Sequence, residues 1–182
     1  MYSTQLLNYT RKFSVHGTSI VVGDPIESSA KLLLENCQSG DWVSMFSFCT
    51  LPTGEVAVSL TVRTEEYTDC QDFGRRTASH YEFDETWVQL KEAVAVSSGL
   101  AGVFDASLFG SPECFNEKEN LSQRKWGLCC LDSIRKYRCG FFPFGAAMMF
   151  GYEGNWNCLI HRDTETEKIN GVALVFRLKS DN

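Results

Sequence analysis

Four carboxylates stand where the chain changes direction. Asp24 lies between Gly23 and Pro25, Asp105 closes the run SGLAGVFD (98–105), Glu153 sits in FGYEGNWNCLIH (150–161), and Asp163 opens a charged connection. Carboxylates that converge at strand ends can hold a divalent cation or act as an acid/base pair. Each also has a structural use, because an acidic side chain accepts hydrogen bonds from the free N–H groups of a turn. Gly151 and Gly154 flank Tyr152 and Glu153, and glycine reaches positive φ without a Cβ penalty. The stretch is therefore expected to be a tight corner between strands. Glu153 would serve the turn, Trp156 would start the return strand and cover the corner, and Tyr152 would be exposed at the tip. Aromatic side chains anchor interfaces. The candidate binding residues are thus Asp24, Asp105, Tyr152, Glu153 and Trp156.

Cys158 and His161 suggest a metal site or a nucleophile with its base. Three positions apart on a strand, they point to opposite faces and do not meet. Cys129 and Cys130, adjacent on a helix, diverge by roughly 100° and suit one metal poorly. The eight cysteines form no C-x-x-C pair. Without a secretory signal they are expected to be buried free thiols. No metal and no cofactor are expected.

The elements that would place these residues are mostly short extended runs. At 182 residues with 43% hydrophobic and 22% charged side chains, the chain reads as one domain, 1–182, able to bury its own core. FSVHGTSIVV (13–22) is expected to be a hairpin turning at His16-Gly17, its second strand stopped by Pro25. SSAKLLLENC (28–37) fits either a short helix or a strand. DWVSMFSFC (41–49) and EVAVSLTVR (55–63) flank Pro52-Thr53-Gly54 as a hairpin, with Val56, Val58, Leu60 and Val62 on one face. A polar loop follows over 64–80, then two short strands within 87–99.

The helix is expected over 116–139. Asn116 caps it, Glu117 and Glu119 occupy its first turn, Arg135, Lys136 and Arg138 its last, and Gly140 stops it. Trp126, Cys130, Ile134 and Tyr137 form a stripe that packs on a sheet. GAAMMFG, WNCLIH and INGVALVFRL then read as an antiparallel meander. The fold class is α+β, mainly β: an antiparallel sheet or two-layer sandwich with one packed long helix.

Seventeen basic and 23 acidic residues give a net charge of −6. Nucleic acid is disfavoured as a partner, since such binding draws on clustered Lys and Arg. No run approaches the ~20 apolar residues of a membrane span. The chain is expected in the cytoplasm of its producing or host cell, with another protein as its partner.

Several landmarks follow a recognisable order: Gly23-Asp24-Pro25, Ser39-Gly40-Asp41-Trp42, the run Ser98 to Asp105, Trp126 with Cys130, the run Phe150 to Trp156, and Val175-Phe176. This order resembles a widespread domain-of-unknown-function family, mainly bacterial and viral. That family has a D-P strand end, an S-G-x-A-G-x-F-D element, a Trp-bearing helix and an S-G-x-G-D-G-x-Y hairpin before a last strand. Glu153 stands where the family has Asp, Phe150 where it has Ser, and Trp156 where it has Tyr. The resemblance covers nearly the whole chain and implies this layout, without an activity. The expected function is a non-catalytic binding protein (inhibitor, immunity-type or accessory factor) with an acidic, aromatic-bearing surface. The alternative is a hydrolase-like enzyme with a carboxylate or divalent-metal site at converging strand ends.

Overall fold

A computed structural model describes residues 9–27, 31–51, 54–65, 83, 85–115 and 121–175. Among the described residues the protein is mainly β, with antiparallel sheets and a single α-helix. Its strands are β1 (Tyr9–Val15), β2 (Ile20–Gly23), β3 (Lys31–Leu34), β4 (Gly40–Leu51), β5 (Gly54–Thr64), β6 (Trp87–Gln89), β7 (Val94–Val96), β8 (Leu100–Asp105), β9 (Cys139–Phe142), β10 (Gly145–Met149), β11 (Gly154–Arg162) and β12 (Ile169–Val175). A 3-10 turn, Pro112–Phe115, precedes the helix α1, Gln123–Ile134.

The strands form two sheets. One runs β1-β4-β5-β12-β11-β6, with β7 also paired to β11; the other runs β3-β2-β8-β10-β9. Alternation along β8 shows how the layers stack. Ala101 and Val103 join Trp42, Phe46, Leu60 and Val172 in the core between the sheets. Leu100 and Phe104 point the other way, into a second core with Trp126, Cys130 and Ile134 of α1. Because β8 is covered on both faces, all six of its residues are buried. That is why its sequence is a continuous apolar run and not an alternating one.

Period-2 patterns located most strands but not their partners. No hairpin forms over 13–22, because β1 pairs with β4 while β2 pairs with β3 and β8. His16-Gly17 carries the chain from one sheet to the other. Likewise β10 pairs with β8 and β9, so only β11 and β12 of the expected meander pair with each other. The hairpin of β4 and β5 is present, its Pro52-Thr53 outside the described residues. The pairing slips between Ser47 and Phe48, which leaves Val58 without a partner residue. Residues 31–34 of the ambiguous segment are strand. The two short strands expected within 87–99 are β6 and β7. Of the loop expected over 64–80, Thr64 instead ends β5, and 66–80 fall outside the described residues.

The helix is shorter than its sequence signals suggest. Residues 116–120, with the expected Asn116 cap, lie outside the described residues. Ser122 is the N-cap, its hydroxyl accepting from the Lys125 N–H. Trp126, Cys130 and Ile134 form the buried stripe. Tyr137 does not extend it: the helix ends at Ile134 and Tyr137 is 67% exposed. The reversal is made by Arg138 at φ 60°, not by Gly140. Gly140 lies inside β9, where a Cβ would overlap Ile134.

Candidate functional site

Asp24 is fully buried at the end of β2. Its carboxylate accepts from the N–H groups of Ile26 (2.9 Å), Ser97 (3.1 Å) and Ser98 (2.8 Å), and from the Ser98 hydroxyl (2.8 Å). Two oxygens with four donors are saturated, so this carboxylate joins β2 to the β7–β8 turn. Asp105 lies at the far end of the same strand pair, since Gly23 faces Gly102 whereas Ile20 faces Asp105. The two carboxylates are roughly 13 Å apart along the strands. The convergence that the hydrolase alternative needs is therefore absent between Asp24 and Asp105: antiparallel pairing puts them at opposite ends.

Gly151, at φ +82°, makes the 150–154 corner. The Gly99 carbonyl accepts from both Phe150 N–H (2.8 Å) and Gly151 N–H (3.2 Å), so the corner rests on the turn that Asp24 holds. Trp156 is buried and packs on Phe150 at 4.5 Å between ring centroids. Tyr152 is 56% exposed and Glu153 is exposed beside it. The corner joins the two sheets, β10 to β11, and does not turn a hairpin.

Helix end and corner meet. The Arg138 carbonyl accepts from Met149 N–H at 2.7 Å, and an Arg138 guanidinium nitrogen lies 3.2 Å from where a Cβ on Gly151 would be. Arg138 thus reaches the corner that carries Tyr152, and Tyr137 directly precedes Arg138 in the chain. The Lys136 ammonium sits 5.0 Å from the Tyr137 ring centre, and Arg135 is exposed nearby in the chain. The charge next to the tyrosines includes these cations, although the whole chain is acidic.

Asp105, also fully buried, accepts from the His16 N–H (2.9 Å), from Ser107 N–H (3.0 Å) and from the Ser107 hydroxyl (2.8 Å). It bonds His16 Nδ1 at 2.8 Å, while the His16 side chain is 62% exposed. A buried Asp that orients an exposed His is the base-and-orienter half of a hydrolytic triad. Ser107, however, bonds the carboxylate rather than the imidazole. Burial alone would raise the Asp105 pKa; donation from His16 and Ser107 outweighs it and holds the carboxyl below its ordinary range. A depressed carboxyl stabilises above the unfolded value near 4 and loses that contribution as pH falls through the folded value. Asp105→Asn is therefore expected to flatten the acid side of the stability profile, read from urea midpoints between about pH 3 and 7. Parallel profiles for the two proteins would refute this role.

Cys158 points into the core and His161 to the outer face of the seven-stranded sheet, as strand alternation demands. Burial pushes the Cys158 thiol up to about 12, far from a reactive thiolate. His161 Nδ1 bonds Asn170 Oδ1 at 2.6 Å. It shares a cross-strand row with Gly171, Arg63 and Trp87. The Trp87 ring fills the space that a side chain on Gly171 would take, and the Arg63 guanidinium lies 5.0 Å from its centre. Asp163 accepts from the N–H groups of Glu165 and Thr166 and from the Thr166 hydroxyl, which makes it a turn former.

Among the described residues no three His, Cys, Asp or Glu side chains gather as a metal site. None of their helices is long and apolar enough to cross a membrane. No family model, curated protein or solved structure matches this chain.

Proposed function

We propose that the chain is a non-catalytic binding protein, an inhibitor, immunity-type or accessory factor, that engages another protein through the corner bearing Tyr137, Arg138 and Tyr152. The supporting observation is that two largely exposed tyrosines are chain neighbours of Arg138 and Gly151, which approach each other at the corner. Tyr and Arg dominate interface hot spots, and Tyr has few rotors to immobilise on binding. Lys136 suits a partner surface that offers a carboxylate beside an apolar centre. Capture from native lysate tests this reading. Wild type is expected to retain a partner that Tyr137→Ala/Tyr152→Ala loses by about 30-fold, the size of one hot spot. Both positions are exposed, so each substitution should shift stability by no more than about 0.5 kcal/mol. Equal capture by the double variant would reject the proposal.

A hydrolase-like reading draws its support from the His16–Asp105 pair, since Asp24 and Asp105 lie at opposite ends of their strand pair. Ester hydrolysis that is equal in wild type and His16→Ala would set it aside.

A further inference from the structure

The two sheets part along one seam. β1 is an edge of the seven-stranded sheet and β9 an edge of the five-stranded sheet. They are tied where Ser14 N–H donates to the Pro143 carbonyl at 3.1 Å. From that tie they splay into a cleft of about 370 Å³ lined by Arg11, Lys12, Phe13, Phe141 and Phe142.

Register shows which way the backbone of β9 faces. Met149 N–H donates to the Arg138 carbonyl, and Met148 is opposite Cys139. Antiparallel pairs alternate, so Gly140 and Phe142 bond β10 while Cys139 and Phe141 turn their N–H and C=O groups outward. The Pro143 carbonyl, next on that outward side, accepts from Ser14, in keeping with the alternation. Among the described residues no strand pairs with the outward edge of β9.

The cleft also has a charge and a floor. The Arg11 guanidinium lies 5.6 Å from the centre of the Phe141 ring, which in turn packs on Phe46 at 4.9 Å. Lys12 forms an ion pair with Glu65. Arg11 has no carboxylate partner among the described residues. Outward main-chain groups require main-chain groups of an extended segment as partners. A cation beside phenylalanines asks for a carboxylate with an apolar side chain two positions away, on the same strand face.

We propose that this cleft is a docking groove for an acidic extended peptide, which adds a strand to β9 and sets a carboxylate on Arg11. The groove is lined by residues other than Tyr137 and Tyr152, and the inference stands without the tyrosine surface. The four residues of β9 limit the added strand to a short segment.

Fluorescence anisotropy with a labelled heptapeptide Thr-Val-Thr-Glu-Thr-Val-Thr, which carries the glutamate and both valines on one strand face, tests the proposal. The wild-type chain is expected to bind it at least tenfold more tightly than the same peptide with lysine in place of glutamate, or than the same peptide N-methylated at alternate amides. Arg11→Ala is expected to lose at least tenfold in affinity with an unchanged melting temperature, because Arg11 is exposed. The proposal is overturned by no binding at about 1 mM peptide, by equal affinity of Arg11→Ala, or by indifference to N-methylation. A self-association that hides the groove from the peptide, seen by sedimentation, overturns it as well, by making a second copy the occupant.

Discussion

Asp24→Ala is expected to destabilise the protein by about 3–5 kcal/mol, measured as a lowered urea midpoint at neutral pH. The substitution strands three N–H groups and one hydroxyl that now converge on a single buried carboxylate. Bonds to a charged acceptor are worth about 1.5–3 kcal/mol each, but losses within one network do not add. Asp24→Asn keeps one acceptor oxygen and brings a donor into a set of donors, so roughly 1–3 kcal/mol is expected. The consequences reach the corner. Ser97 and Ser98 lead into Gly99, whose carbonyl holds Phe150 and Gly151. Tyr152 should therefore lose its fixed place before the fold is lost. A loss below about 1 kcal/mol for alanine would show that the carboxylate is not a structural link.

The same residue shows how far sequence alone reaches. The turn-forming use of Asp24, Asp105 and Asp163 follows from their neighbours: proline, a strand end and a run of polar residues. What joins Asp24 to Ser98, 74 positions away, or Asp105 to His16, 89 positions away, carries no local signal. Periodicity was legible for the same reason that partners were not. Alternating side chains report that a segment is extended and has two faces; they do not name the strand alongside. Hence β4 and β5, separated by two residues in the chain, are found as a pair, while β1 and β2 fall into different sheets. The tyrosine corner was half legible. Tyr152 follows a turn glycine, but Tyr137 fits the helical stripe and leaves it only because the chain reverses at Arg138, a non-glycine in the left-handed region. The Arg11 cleft had no signal at all, since it exists only where two sheet edges meet.

Trp126→Ala is expected to cost about 3–5 kcal/mol, comparable to Asp24→Ala but by a different route. Trp126 is fully buried on the face of α1 that meets β8 and β10. Four rings surround it, Phe104, Phe109, Phe115 and Phe144, with centroids 4.7 to 5.7 Å away. Its indole N–H donates to the Ser111 carbonyl at 3.1 Å, which ties the segment after Asp105 to the helix. Alanine removes both the contacts and the tie, and leaves a cavity that four aromatic neighbours cannot close. Phenylalanine keeps much of the ring contact and loses the donor, so a smaller cost of about 1–3 kcal/mol is expected. The difference between the two variants in urea unfolding separates packing from the hydrogen bond. If alanine and phenylalanine cost the same to within about 0.5 kcal/mol, the aromatic cluster contributes nothing beyond the tie to Ser111. The helix would then owe its position to Cys130, Ile134 and the close approach at Gly127, where a Cβ would overlap the Pro25 backbone directly after Asp24.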